Sequence, residues 1–339
     1  MYKIAYIEWL RVIACFVVIL FHISGSCGYT LELSSNNHII MELFHCLTIW
    51  SVPIFVMISG ALFLDPKKEI SIHKLYVHNI FRIFISFVFW SLVYALYNFF
   101  GSEDFNRVNG LILQFLGGHF HMWFLLLIIG LYILTPILRL ISRDIKIMKY
   151  MILISIFFNF VIPFFLDNYL FPPLQPIVSI ILSHLTNINL QMIGGNITYF
   201  FLGYYLNTMD LNKEKLLIVL GVLGSITIVG VCIQNAFSSR GDFFQFCSLP
   251  ALVQSVSIFL ICKRCFRRKE SKTISRLSKY SFGIYLIHML IIYFLVSHRI
   301  TPTIINPIIG IPMMTLLTFL ISTVAIVLAS RIPVIKEMV

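Results

Sequence analysis

Charge is what this sequence has least of. Only 12% of its 339 residues are Asp, Glu, Lys or Arg, about half the share found in soluble domains. A soluble chain this long could bury a sizeable core, but it could not cover that core with so few polar side chains. Acids are the scarcer sign, with 14 Asp and Glu against 25 Lys and Arg and a formal net charge of +11. Low-complexity tracts and soluble-repeat periods are absent, and the polar connections are too short to hold a separate domain. Cys15, Cys27, Cys46, Cys232, Cys247, Cys262 and Cys265 lie mostly in apolar stretches and read as small buried hydrophobes. A lone Cys262-Lys-Arg-Cys265 without a partner pair does not make a metal site, so no metal is expected. A disordered chain and a disulfide-stapled secreted domain are both excluded. What remains is an apolar fraction of 59%, with 15% aromatic residues and 32 Phe. Lipid is the solvent that such side chains fit.

Ten apolar segments approach the ~20 residues that cross a bilayer: 5–25, 39–63, 82–100, 120–138, 148–166, 190–207, 216–233, 243–262, 281–298 and 308–329. In lipid a spanning backbone must satisfy its own hydrogen bonds, so each is read as a helix. The predicted fold is all-α, a polytopic membrane protein of about ten transmembrane helices forming one integral-membrane domain over residues 1–339. The first segment is read as a retained span, because Glu8 and Arg11 interrupt it and one Lys precedes it. With ten spans, 21 of the 25 basic residues fall on one side, and Arg107, Arg240 and Arg299 fall on the other. Basic residues collect on the inner side, so both termini are expected in the cytoplasm. The same count rejects residues 172–187 as an eleventh span and makes them an interfacial or re-entrant segment on the outer face. It also removes nucleic acid as the explanation for the positive charge; the partner implied is membrane lipid.

Against this background, ionisable residues within spans stand out, since each costs about 2.5 kcal/mol or more at the bilayer centre. Arg11 and His22 are eleven residues apart, about three full turns, so they share one face of the first helix ~16 Å apart along it. In the second span Glu42 and His45 are three apart and face the same way. A carboxylate next to an imidazole fixes its tautomer and raises its basicity, as a general base requires. The plainer reading of these residues is a polar pair that locks two helices together. His119, His121 and Trp123 open the fourth span at the outer interface, where such residues often serve as anchors. His288 lies ~10 Å into the ninth span by helical rise, in the cytoplasmic half and away from His22. Arg82 and Arg139 mark the inner ends of spans three and four. Pro53 is expected to kink the second span, with Gly60 closely packed below it.

Taken together these segments resemble the acyltransferase 3 family of integral-membrane enzymes that O-acetylate bacterial surface glycans. The resemblance starts with an Arg-x10-His pattern, Arg11 to His22 in LRVIACFVVILFH. It continues through VPIFVMISGALFL at 52–64, HMWFLLLIIGLYILTPILR at 121–139, YFFLGYYL at 199–206 and YSFGIYLIH at 280–288. The wording is closest to the branch that modifies lipid-linked or exopolysaccharide sugars without an extra soluble domain. Many members carry Arg-x-x-Arg at the inner start of span three. Here those positions are Asn79 and Arg82, with His78 and Lys74 nearby.

The resemblance implies transfer of an acetyl group from cytoplasmic acetyl-CoA to a glycan hydroxyl on the outer side of a bacterial cytoplasmic membrane. CoA is too large and charged to cross, so Arg11, Arg82, Arg139 and Lys74 are the candidates to meet its phosphates from inside. His22, oriented by Glu42 and accompanied by Arg11 and His45, is the candidate to take the acceptor proton. An acetyl-His22 relay is the other route within the same fold. His121 and Trp123 are candidates for contacting the acceptor. A homo-oligomer is compatible with the sequence. The chief alternative is a transporter or flippase, since carriers also hold charge within ten helices, although no matched halves are seen here.

Overall fold

A computed structural model describes residues 4–28, 35–101, 107–167, 180, 184–185, 194–209, 215, 218–219, 221–226, 246–333 and 338. All regular structure among the described residues is helical. The helices that position the site are α1 (Ala5–Gly28), α2 (Asn36–Thr48), α3 (Ser51–Phe63), α4 (Phe81–Gly101), α5 (Arg107–Gly117), α6 (Trp123–Ser142) and α7 (Ile145–Ile156). They continue with α8 (Gly195–Thr208), α9 (Leu249–Phe266), α10 (Lys272–Ser297) and α11 (Pro307–Ala329). Eight helical segments among the described residues are long and apolar enough to cross a membrane. They correspond to eight of the ten expected segments. Span 190–207 is represented by α8, which has 14 residues. Most of 216–233 and of the segment 172–187 lies outside the described residues.

Local sequence sets the helix ends. The side chains of Ser35, Asp144, Ser248, Ser271 and Asn306 each accept a hydrogen bond from a first-turn N–H, and Pro307 begins α11 where no donor is needed. Pro53 does more than kink its span. Its ring conflicts with the carbonyl four residues back, and the helix breaks at Ile49 and Trp50, separating α2 from α3. Carbonyls beside the break find new donors: Gln254 Nε2 reaches Cys46 O at 3.2 Å and Trp50 Nε1 reaches Leu47 O at 2.8 Å.

At the centre, α3 is buried along almost its whole length. It meets α8 with no side chain between the backbones: a Cβ on Gly60 would sit 1.8 Å from Phe200 O, and one on Gly203 1.9 Å from Met57 O. Glycine allows the approach, as in other lipid-embedded helix pairs. α1 runs through the bundle and joins two core regions. Its first half packs Leu10 and Ala14 with Met57, Phe200 and Phe259; its second half packs Val18 and Ile23 with Leu286, Met289 and Ile311.

One expectation about cysteine needs correction. Cys15, Cys247, Cys262 and Cys265 are free thiols, but Cys46 is disulfide-bonded. Disulfides persist on oxidising faces, and Cys46 lies one residue from His45 on α2.

Candidate active site

Four histidines converge where α1, α10 and the start of α6 meet. His22 lies with its ring centroid 5.2 Å from that of His288 and 6.2 Å from that of His121, while the His121 and His288 rings are 5.2 Å apart. His288 is fully buried and His121 is 2% exposed. His119 Nδ1 is 2.7 Å from His121 Nδ1, and its Nε2 is 3.1 Å from the Tyr293 hydroxyl. Tyr94 stacks on His119 at 4.2 Å, and the Tyr285 hydroxyl donates to the His121 backbone carbonyl. His288 Nδ1 meets Tyr285 O at 2.5 Å. The exposed Phe120 ring covers His22 edge-on at 5.6 Å.

Gly118 delivers two of these imidazoles. Its φ of 70° lies in the left-handed region, and a Cβ there would be 2.8 Å from the Phe87 ring. The chain thereby leaves α5 and turns inward through Phe120–Met122 before α6 begins. His288 overturns the expectation that it lies away from His22. α10 starts at Lys272 behind its Ser271 cap, well before the apolar run at 281, so His288 is roughly 24 Å along the helix rather than ~10 Å.

Below the histidines a cavity of about 1120 Å³ extends to a basic end. Lys67, Lys74, His78, Arg82 and Lys279 line it there and are exposed. Phe55, Ile58, Leu62 and Phe124 form apolar wall. Arg11 and Tyr132 line the interior together with Ser59. Among the described residues no ion pair or hydrogen bond engages the Arg11 guanidinium, and Glu8 instead accepts from Ser275 at 3.1 Å. Tyr285 completes the lining, with its ring 5.5 Å from His121 and 5.7 Å from His288. One tyrosine therefore belongs to both the cavity and the histidine cluster.

The sequence-predicted residues divide accordingly. The structure brings His22 and His121 together, and it places Arg11, Lys74 and Arg82 on the cavity, with Arg82 over the Phe282 ring at 5.6 Å. Trp123 is 40% exposed and stacks on Phe246 at 5.6 Å, an aromatic face near Phe120. His121 is too buried to act as a surface contact. Arg139 does not line the cavity: its guanidinium donates to Phe63 O at 2.7 Å and Lys68 O at 2.5 Å. Those are carbonyls at and beyond the end of α3, which a cation at a helix C-terminus satisfies. Arg139 thus fastens the segment that carries Lys67 and Lys68.

Glu42 does not orient His22. Among the described residues no hydrogen bond joins it to His22 or His45, and its electrostatic partner is His38, four residues earlier on the same face. His45 instead packs on α1, stacked on Phe21 at 4.1 Å and against Gly25. Sequence reading took His119 for an interface anchor and placed His288 away from His22, and it did not single out Tyr285 or Tyr132.

Buried imidazoles beside a basic-ended cavity, within a bundle of helices long and apolar enough to cross a membrane, define the class of a polytopic membrane protein. A comparison with family models defines that class further: residues 4–329 match the acyltransferase domain of the acyltransferase 3 family. The chain belongs to this family of membrane acyltransferases. No curated protein and no solved structure matches it.

Proposed function

We propose that this protein transfers an acetyl group from acetyl-CoA to a hydroxyl of a cell-surface or lipid-linked polysaccharide, across the cytoplasmic membrane of a bacterium. The observation that carries this reading is the cavity shared by Lys74, Arg82, Arg11 and Tyr285. Its volume of about 1120 Å³ slightly exceeds the usual range of ligand pockets, roughly 300 to 1,000 Å³. That is room for a nucleotide and a long arm. Lys67, Lys74, Arg82 and Lys279 receive the phosphates at the basic end, which faces the cytoplasm in this reading. The apolar wall of Phe55, Ile58 and Leu62 suits the pantetheine arm, and the thioester reaches Tyr285 beneath the histidines. Arg11, whose guanidinium makes no hydrogen bond or ion pair among the described residues, is the cation available to the donor inside the cavity.

His22 is half-buried and is reached past the exposed Phe120. It takes the proton of the acceptor hydroxyl as the oxygen attacks the thioester carbon. The C–S bond breaks, its electron pair goes to sulfur, and His22 returns the proton to give free CoA thiol. Trp123 and Phe120 offer the acceptor sugar an aromatic surface.

The test is covalent labelling of glycan. Cells producing the protein are fed radiolabelled acetate, and surface polysaccharide is compared with that from cells lacking the gene. Label released by mild alkali should be present in the first and absent in the second. Equal label in both would reject the reading, and altered glycan export without any difference in acetyl ester would favour a carrier.

A further inference from the structure

We propose that His288 is the positioning residue that fixes the proton on His22, the part that the sequence assigns to Glu42. The proposal rests on the acetyl-transfer reading and deepens it. A general base in a buried site works only if its tautomer is set. Among the described residues the His22 ring makes no hydrogen bond, so nothing in its own surroundings decides which nitrogen carries the proton.

His288 is set. A backbone carbonyl can only accept, so the contact of His288 Nδ1 with Tyr285 O places the proton on Nδ1. Nε2 is left with a lone pair, fully buried and without a hydrogen-bond partner among the described residues. Such an orphan acceptor carries a real cost in the folded protein, which a donor from a neighbouring ring removes. Two rings lie within reach. His22 is 5.2 Å away and tilted by 35°; His121 is also 5.2 Å away, at 84°. The 35° tilt between His22 and His288 leaves a modest turn of the His22 ring to bring an N–H of one to the lone pair of the other. The His121 ring stands almost perpendicular and is fixed through Nδ1 by His119 at 2.7 Å; its Nε2 has no hydrogen-bond partner among the described residues and makes none with His288 in this fixed orientation. Among the described residues His22 has no such tether, which leaves its ring able to turn. Hydrogen bonds of this kind are often long in an empty site and shorten when substrate closes it.

With His22 N–H donated to His288 Nε2, the other nitrogen of His22 presents its lone pair to the acceptor hydroxyl. The hydroxyl proton moves to that nitrogen while the O–C bond forms. The C–S bond then breaks toward sulfur, and the same proton passes from His22 to the thiolate. His288 gains and loses nothing. It holds the second proton of the imidazolium through the step, as an orienting group does in a catalytic triad.

The experiment compares three variants of the full-length protein in lipid nanodiscs: His288→Gln, His288→Asn and His288→Leu. Gln carries an acceptor at the distance of Nε2. Asn can keep the bond to Tyr285 O but has no atom at Nε2. Thiol release from acetyl-CoA is measured with methyl β-glucoside as acceptor, alongside CoA binding and thermal melting. Asn and Leu should lower kcat about 100-fold with KM for acetyl-CoA unchanged, and Gln should stay within about tenfold of the wild type. If His288 only supports the fold, Asn should do at least as well as Gln, and activity should follow the melting temperature; that result overturns the assignment. Loss of CoA binding in all three would overturn it as well. A wild type that binds no CoA and releases no thiol would instead reject the acetyl-transfer reading itself.

Discussion

At the basic end of the bundle, exposed lysines and an arginine stand around a wide cavity; at the other end, four imidazoles are packed ring against ring with tyrosines. The first region handles charge with permanent cations and open space. The second contains side chains that can be neutral, and neutrality is what makes deep burial inexpensive. In the proposed reaction, binding a charged donor and moving a proton need different surroundings, and α1 carries one residue into each. Arg11 belongs to the cavity and His22 to the cluster. The helix is the ruler between them, and Tyr285 is where the two regions touch.

The comparison breaks most sharply at His22. His22→Ala should lower turnover by about 100- to 10,000-fold while CoA still binds, which isothermal titration alongside the thiol-release assay would detect. Arg11→Gln should do the reverse, raising the Kd for CoA about 10- to 100-fold, the worth of a charged hydrogen bond; unchanged affinity would remove Arg11 from the donor site. Gly203→Ala tests what both regions share. Its Cβ meets Met57 O, so a loss of about 1–3 kcal/mol in stability is expected from overpacking, read as a lower melting temperature without a preferential effect on either end. Smallest are the exposed cations: Lys74→Ala should raise KM for acetyl-CoA about two- to fivefold, an effect that fades in high salt. Arg139→Ala sharpens the same boundary, because it should lower the melting temperature through the freed carbonyls of Phe63 and Lys68 and change CoA affinity only through the segment it fastens.

Much of this division could be read from the chain. Hydropathy located eight spanning helices, and the eleven-residue interval from Arg11 to His22 placed them on one face at two depths. Pro53 marked a disruption correctly, although the outcome is a break rather than a kink. What spacing could not supply was the neighbour on another helix. Glu42 and His45 share a face of α2, yet that face does not bring the carboxylate to His22. An arginine at a helix end looks the same in sequence whether it meets phosphate, as proposed for Arg82, or carbonyls, as Arg139 does. His288 was misplaced because the apolar run starts later than the helix: α10 begins with polar residues capped by Ser271. Tyr285 and Tyr132 carry no signal of their own, since a tyrosine in an apolar run reads as packing.

The backbone contact between α3 and α8 has one more consequence. Phe55, Ile58, Ser59 and Leu62, which wall the cavity, all stand on α3, and Gly60 and Gly203 leave that helix no room to retreat. An unyielding wall works as a gauge. If an acyl thioester lies along it, chain length is measured against a fixed stop, and each added carbon must push its carbonyl out of register with His22. Selectivity for short acyl groups would then be a property of two glycines that never touch the substrate.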